Sequence, residues 1–465
     1  MSETSVSGSG ATPIIQPAKP WPFIGRVAFR LVFCYSMLYV FFNGNDTPLS
    51  VFDRLPFWQG KVGALLFWPI GKLSLIVGKH VFHLSGIAAT WHFGGSGDTA
   101  LNWILSGILL AISVAATGLW SLLDWKRESY SALYAWLRFA IRLMLGVSML
   151  TYGFVKVFPL QMLPISVGQL NEPLGQLTPM SLLWSMLALS PVYQMICGAA
   201  ELAAGILILI RRTALAGALL TVFVMSNVLL YNLFFDVPVK LFAAHLVVLA
   251  SFLVWPDVVP LWRFFVLHVF SKPAGIWAPP PSRWFSPRAM RISEPCFLVL
   301  CLLAFTTNTY TTWSSYRSSL AASPLTGVWK IRESDQELLK SPTGKSCTDI
   351  FVDNTFRAFV RDSSGKLWRN YLKYSPKGTL DMRDALSTTS FTWKVVDPDH
   401  VALTKVKTQP VVLGPVNPFS TKGGQGNPVL APAPTTLILE RQRTAQSYPI
   451  YGDGFHLVTE WGYER

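Results

Sequence analysis

Three ionisable residues lie inside apolar segments that are long enough to cross a membrane. Glu201 is in "MICGAAELAAGILILI", and Arg30 and Arg142 are in two other apolar segments. At 1.5 Å per residue, Glu201, Arg30 and Arg142 lie roughly 16, 18 and 22 Å from the outer ends of their predicted spans. Because an unpaired charge at that depth is costly, we predict that Glu201 contacts Arg142 or Arg30. The cluster is either a structural link between helices or a polar site that binds or relays.

A second polar group follows from the stretch "FFDVPVKLFAAH" at 234–245, between two long apolar runs. Asp236 and Lys240 are four residues apart across a turn, and His245 lies about 10 Å deeper in the next helix. We predict an outer cavity lined by Tyr152, Lys156, Asn232, Asp236, Lys240 and His245. The alternative is a capped turn with an ion pair, next to a hydrogen-bonded core histidine.

Other motifs carry weaker signals. The stretch "GGSGDTALNW" at 94–103 predicts a helix capped by Asp98 or Ser96, with an anion site as the alternative. It lacks the Gly-Lys-Ser/Thr ending of a phosphate-binding loop. His80, His83 and His92 are weak candidates for metal ligands, and without a second closely spaced pair we assign no metal. No hydrolase, metalloprotease or dinucleotide-binding motif stands out, so the sequence assigns no enzyme class.

The composition indicates a polytopic membrane protein. Of 465 residues, 51% are hydrophobic and only 14% are charged, whereas soluble domains carry about 25% charged residues. The net charge of +14 fits basic cytoplasmic loops beside anionic lipid. No basic run is interleaved with aromatic residues, so a lipid bilayer and not nucleic acid is the predicted partner. Residues 1–20 are predicted to be a disordered tail.

About seven segments can span a bilayer, which takes ~20 apolar residues per crossing. They lie near 23–42, 101–121, 134–157, 190–210, 213–235, 239–256 and 294–312. Lys and Arg follow the second, fourth and sixth segments, while 157–189 has neither. The positive-inside rule then predicts a cytoplasmic N-terminus and an external C-terminus.

The segment 61–84 has two interpretations. Lys61, Lys72, Lys79 and His83 fall on one narrow helical stripe, which favours a helix lying in the outer membrane interface. The alternative is an eighth span.

An internal repeat divides the helical region. "RVAFRLVFCYSML" at 26–38 and "RFAIRLMLGVSML" at 138–150 share two arginines and a trailing Ser-Met-Leu at an offset of 112. Many membrane folds are built from such duplicated bundles. We therefore predict two related halves at 21–130 and 131–256, followed by a cytoplasmic loop and the last span at 257–323.

The pattern changes to short alternating stretches from residue 324 to 465. Five of them, "GVWKI", "DIFVDNTFRAFVRDSSGKLWRNYLKY", "FTWKVVDPDHVALTKV", "TTLILERQR" and "FHLVTEW", predict an all-β domain. The early Gly327-x-Trp329 resembles the opening of lipocalin-like barrels. The five cysteines form no C-x-x-C, so thiol chemistry would need a partner protein.

The region of about 138–255 resembles the DoxX family of four-span membrane proteins. The resemblance rests on Arg142-Leu143, Gly146, "MLTYGFVK", Pro159, "GAAELAAG", Arg212 and "NLFFDVPVKL". The first half resembles a divergent copy and, more distantly, bundles of the HTTM type. DoxX relatives include a subunit of thiosulfate:quinone oxidoreductase, so the resemblance implies a quinone- or thiol-linked role.

Together these patterns predict a seven-span bundle with internal duplication and an all-β, lipocalin-like C-terminal domain. We expect a bacterial inner-membrane component of a quinone- or thiol-linked electron-transfer assembly, with a redox protein as candidate partner and the β domain in the periplasm. The sequence does not identify a cofactor, and a quinone is the candidate. The alternative is a non-enzymatic transporter or a scaffold that presents the β domain to an envelope partner.

Overall fold

The computed structural model describes residues 20–55, 57–58, 60–89, 98–272, 286–320, 325–352, 357–375, 378–383, 387–410 and 429–443. The predicted tail therefore lies almost wholly outside the described residues, as does the predicted strand at 455–461. The helices are α1 (Phe23–Phe42), α2 (Ser50–Asp53), α3 (Lys61–His80), α4 (Ala100–Leu123), α5 (Ser131–Val157), α6 (Val167–Leu170), α7 (Pro179–Leu189), α8 (Pro191–Leu209), α9 (Ala214–Phe234), α10 (Lys240–Val254), α11 (Val258–Phe265) and α12 (Pro287–Leu320).

Eight helices in the described part of the chain are long and apolar enough to cross a membrane. The seven predicted spans each match one of them, and the eighth is α3. We call the end of the bundle where α4, α8 and α10 finish the basic end, because Arg26, Arg127 and Arg211 lie there. The opposite end, where α5 finishes, is the barrel end.

Helix α3 has both of its ends at the barrel end. Gly44, just after α1, packs on Phe67 in the first half of α3. Gly78 near the end of α3 packs on Leu101 and Ile104, in the first turns of α4. Helix α1 ends at the barrel end, and α4, which runs in the opposite direction, begins there. Gly44 after α1 and the first turns of α4 therefore both lie at the barrel end. This packing supports the interfacial interpretation of 61–84, although length and composition alone would allow a span. Its position relative to a bilayer stays a prediction.

Glycines set the register of the antiparallel pair α5 and α8. A Cβ at Gly153 would lie 2.7 Å from the backbone nitrogen of Leu202. One at Gly198 would lie 2.8 Å from the backbone nitrogen of Val157. Small residues allow such close backbone approach between membrane helices. The two helices therefore cannot slide past each other without a clash.

The C-terminal domain is a closed barrel of eight antiparallel strands in sequential order, which confirms the predicted lipocalin-like all-β fold. The strands are β1 (Gly327–Ile331), β2 (Cys347–Val352), β3 (Arg357–Asp362), β4 (Leu367–Ser375), β5 (Thr379–Arg383), β6 (Ser387–Asp397), β7 (His400–Pro410) and β8 (Val429–Arg443). Trp329 is fully buried and donates its indole N–H to the Leu325 carbonyl at 2.6 Å. The Arg441 guanidinium covers its ring at 4.4 Å.

The barrel packs on the loop between α5 and α7. Phe351 and Phe359 point outward from the barrel and form a small apolar cluster with Val167 of α6. The Phe359 ring lies so close to Gly168 that a Cβ there would clash with it. Arg361 also donates to the Asn171 carbonyl at 3.0 Å. The barrel is thus held against the helical bundle by apolar and polar contacts.

Candidate functional site

The predicted contact between Glu201 and an arginine is wrong, because Arg142 is engaged at the basic end. Arg142 donates to the carbonyls of Ile208 and Leu209 at 3.1 and 2.9 Å. Its guanidinium also lies 3.8 Å from Glu294 of α12. The last carbonyls of a helix have no partner within the helix, and a cation near them is favourable. Arg142 therefore closes the end of α8, away from Glu201.

Arg30 binds the end of α4 in the same way as Arg142 binds the end of α8. It donates to the Asp124 carbonyl at 2.7 Å, to Ser121 Oγ at 2.8 Å and to the Tyr130 hydroxyl. The other two arginines of the repeat, Arg26 and Arg138, also donate to backbone carbonyls near helix ends. Arg26 donates to carbonyls just beyond α4, and Arg138 donates to the Leu253 carbonyl near the end of α10. The repeated arginines are thus structural links at helix ends.

Glu201 instead forms an ion pair with Lys156. The two residues are only 1% and 7% exposed, so the pair is inside the protein. In a helix each Cα–Cβ bond tilts toward the N-terminus. Because α5 and α8 are antiparallel, the Lys156 and Glu201 side chains therefore lean toward each other. The packing of Gly153 on Leu202 brings the two backbones close enough for the contact.

This ion pair lines a cavity of about 750 Å³ between α5, α7, α8, α9 and the start of α10. Most of the wall is apolar, including Met180, Leu183, Trp184, Leu187, Ile196, Phe223, Val224, Val228 and Phe242. Eleven wall residues carry a polar group: Asn45, Tyr152, Lys156, Gln161, Tyr193, Gln194, Cys197, Glu201, Asn227, Tyr231 and Asn232. A large apolar pocket with a few convergent polar groups is the usual form of a small-molecule site.

The predicted outer cavity is found only in part. Tyr152, Lys156 and Asn232 line the cavity described above, but the other three predicted residues do not. The Asp236 side chain is 82% exposed and forms a 2.7 Å ion pair with Lys240. The backbone of Asp236 takes a positive φ of 51° in the turn before α10. These two residues therefore form the surface ion pair of the alternative interpretation.

His245 faces α1, on the other side of α10 from the cavity. One ring nitrogen, Nδ1, lies 2.7 Å from the Leu241 carbonyl, and Nε2 lies 2.7 Å from the Tyr35 hydroxyl. A neutral ring can donate from Nδ1 and accept at Nε2. The ring also stacks on Tyr39 with centroids 3.9 Å apart. His245 has the contacts expected of a hydrogen-bonded core histidine.

Asp98 caps a different helix from the one predicted. Its carboxylate accepts from the backbone N–H groups of Lys240 and Leu241 at 2.7 and 2.9 Å, at the start of α10. Helix α4 is capped by Thr99, and Ser96 lies outside the described residues. Asp98 therefore links the first half to the second. Sequence spacing could not show this, because the two segments are more than 140 residues apart.

Asp46 was not singled out from the sequence. It lies in the loop after α1, is buried, and accepts from the Thr151 hydroxyl at 3.3 Å. Burial raises the pKa of the Asp46 carboxyl to about 6, partly opposed by Arg54 and by the Thr151 hydrogen bond. A polar run, Asn-Gly-Asn-Asp, directly after an apolar span was the available signal.

The weak metal candidates do not assemble among the described residues. No three His, Cys, Asp or Glu side chains come together there in a way that could hold a metal, and His92 lies outside the described ranges. All five cysteines are free thiols. Cys197 lines the cavity without another cysteine in its wall.

Comparisons with known proteins give one informative match. No family model matches the chain, and no solved structure matches it. The chain is 30% identical over 121 residues to the uncharacterized protein YwoB of Bacillus subtilis (strain 168). The match covers 25% of this chain and 73% of the relative. By this match, the chain belongs to the same family as YwoB.

Proposed function

We propose that the second helical half binds a lipid-soluble, amphipathic small molecule and is the membrane component of a quinone-linked electron-transfer assembly. The observation that carries the proposal is the cavity of about 750 Å³ with the buried Lys156–Glu201 pair in its wall. Its apolar wall suits a ring and a hydrocarbon tail, and the ion pair suits a polar head group.

The resemblance to DoxX proteins supports the proposal at particular residues. The quoted stretches "MLTYGFVK", "GAAELAAG" and "NLFFDVPVKL" contain Tyr152, Lys156, Glu201 and Asn232. All four line the cavity. Four residues that carry the resemblance are thus polar groups of the cavity wall, whereas Arg142, Asp236 and Lys240 lie outside it.

A quinone-linked role is favoured over a thiol-linked one by the cysteines. Cys197 is the single thiol in the cavity wall, and the five cysteines form no disulfide. A dithiol relay needs two cysteines with Cα atoms within about 7 Å. Thiol exchange at this site would therefore depend on a cysteine from a partner protein.

The alternative function, a scaffold that presents the barrel to an envelope partner, rests on a different observation. The barrel packs on α6 through Phe359 and Gly168, and this fixes its position on the bundle. A scaffold of this kind would need no ligand in the cavity, so the two functions can be separated by testing for one.

The test is to purify the protein in a mild detergent, extract bound small molecules for mass spectrometry, and titrate the protein with decyl-benzoquinone. We expect a co-purifying quinone or saturable quenching of tryptophan fluorescence, since Trp184 lines the cavity. The double variant Lys156→Met/Glu201→Gln, which removes both charges together, should lose this binding.

The matched control is Lys240→Met, the same substitution in an ion pair outside the cavity. It should bind as the wild type does. Equal binding by the double variant and the control would contradict the proposed site. A wild-type protein that neither retains nor binds a quinone would favour the scaffold.

A further inference from the structure

We propose that the cavity selects ligands whose head group donates a hydrogen bond, so that a quinol binds more tightly than the corresponding quinone. This inference rests on the proposed function and specifies which form of the ligand the site takes.

The inference starts from an acceptor that the protein leaves without a partner. Lys156 binds Oε1 of Glu201, whereas Oε2 is buried and has no hydrogen-bond partner among the described residues. A buried carboxylate oxygen in this state is costly. Because Glu201 lines the cavity, a ligand there can supply the missing donor.

The neighbouring amide groups of the wall do not supply it. Gln194 uses both ends of its amide on the backbone of Met162, each at 3.0 Å. Asn232 donates to the Val239 carbonyl at 3.1 Å. Gln161 adds a second buried acceptor, since its Oε1 has no partner in the described part of the chain. The cavity wall therefore contains two buried acceptors, Glu201 Oε2 and Gln161 Oε1, that a donor on a ligand can reach.

The ammonium of Lys156 decides between the two forms of a quinone. It has three N–H donors, and one of them serves Glu201. A quinone carbonyl can accept from Lys156 but can give nothing to Glu201 Oε2. A quinol hydroxyl can accept from Lys156 and donate to Oε2 at the same time. The quinol thus satisfies both members of the pair, whereas the quinone satisfies one.

The experiment compares decyl-benzoquinone with its two-electron-reduced quinol, which have the same ring and tail. Binding to the purified full-length protein is measured without oxygen, with the quinol kept reduced. We expect the quinol Kd to be about tenfold lower, because only the quinol gives the buried acceptor Oε2 a hydrogen bond. A tenfold ratio corresponds to about 1.4 kcal/mol of binding free energy. In Glu201→Gln the new amide N–H can donate to a carbonyl, so the ratio should fall to about one or below. Lys240→Met should keep the wild-type ratio.

The outcomes separate this inference from the proposed function. If both forms bind the wild type equally, or the quinone binds more tightly, the selectivity is wrong and the binding function stands. If neither form binds, both are wrong. An unchanged ratio in a folded Glu201→Gln variant would also overturn the role assigned to Oε2. The wild-type ratio is informative even where that variant does not fold.

Discussion

The two helical halves share their arginines but not their chemistry. Arg26 and Arg30 bind the end of α4 and the residues after it, and the repeat-related Arg138 and Arg142 bind the ends of α10 and α8. At the same offset of 112, however, Tyr152 and Lys156 correspond to Val40 and Gly44. The residues retained in both halves hold helix ends together, and the unrepeated ones line the cavity.

The first half also differs in what it places beside the repeated helix. Helix α5 packs along α8 through close glycine contacts, which creates the wall that carries Lys156 and Glu201. Helix α1 packs along α4 instead, and α3 lies with both ends at the barrel end. The cavity therefore depends on the close pair α5 and α8, and the first half has no pair packed in the same way among its described helices.

The largest expected effect comes from breaking the buried ion pair of the second half. Lys156→Met should destabilise the protein by about 3–5 kcal/mol, because it leaves the Glu201 carboxylate buried without a cation. Thermal unfolding in detergent measures the loss. Adding Glu201→Gln should recover most of it. A double variant as unstable as the sum of the two single variants would mean that the residues are not coupled.

The next effect tests whether the repeated arginines are equivalent. Arg30→Ala and Arg142→Ala should each cost about 2–3 kcal/mol, since each removes hydrogen bonds from a charged donor to carbonyls at a helix end. The corresponding lysine variants keep the charge but not the two-pronged geometry, so they should lose less than the alanine variants. Unfolding temperatures provide the comparison. If only one of the two alanine variants loses stability, the repeated arginines do not have the same structural role.

The pH dependence of stability tests the contact between the halves at Asp46. Its pKa is about 6 in the folded protein against about 3.9 for an unperturbed Asp. The folded state therefore holds the proton more tightly, and stability should fall as the pH rises from about 4 to 6. The expected change is on the order of 1–3 kcal/mol.

Asp46→Asn is the control, because it cannot titrate. The wild type should lose stability relative to Asp46→Asn across this pH range and then run parallel to it above pH ~7. A difference between the two proteins that stays constant from pH 4 to 7 would show that Asp46 is not buried as described.

The smallest effect concerns the cap that joins the halves. Asp98→Ala should cost about 1 kcal/mol, because two backbone N–H groups at the start of α10 lose their acceptor. Asp98→Asn keeps an acceptor and should cost less. Asp236→Ala, at an exposed carboxylate in the same turn, should change stability little. If Asp236→Ala is the more damaging of the two alanine variants, the cap is misassigned.

The elements of the fold could be predicted from the sequence, because hydropathy and alternation are local. The seven predicted spans and the β domain correspond to helices and strands of the structure. The barrel's closure could not be predicted so directly. It depends on pairing between β1 and β8, which are about 100 residues apart.

The site could be predicted only in part. The depth of a residue in its span does not show which residue of a neighbouring helix lies beside it. Glu201 was identified as a buried charge, but counting residues from span ends assigned it to the wrong cations. The contact with Lys156 depends on how α5 and α8 pack. A usable signal was present: Gly153 precedes Lys156 by three residues, and Gly198 precedes Glu201 by three. Paired small residues could have indicated the contact faces and the partner.

The central claim is that the ligand binds in the cavity that the second half forms, to which the first half contributes Asn45. Photolabelling tests this claim most directly. An azido-benzoquinone with a decyl tail would be irradiated with the full-length protein, and the labelled peptides mapped by mass spectrometry. Label should fall on 180–201 and 223–243, where the cavity wall lies, and excess unlabelled quinol should compete for it. Label on α1, α3 or α4 that the quinol displaces, with none on the cavity wall, would contradict the account.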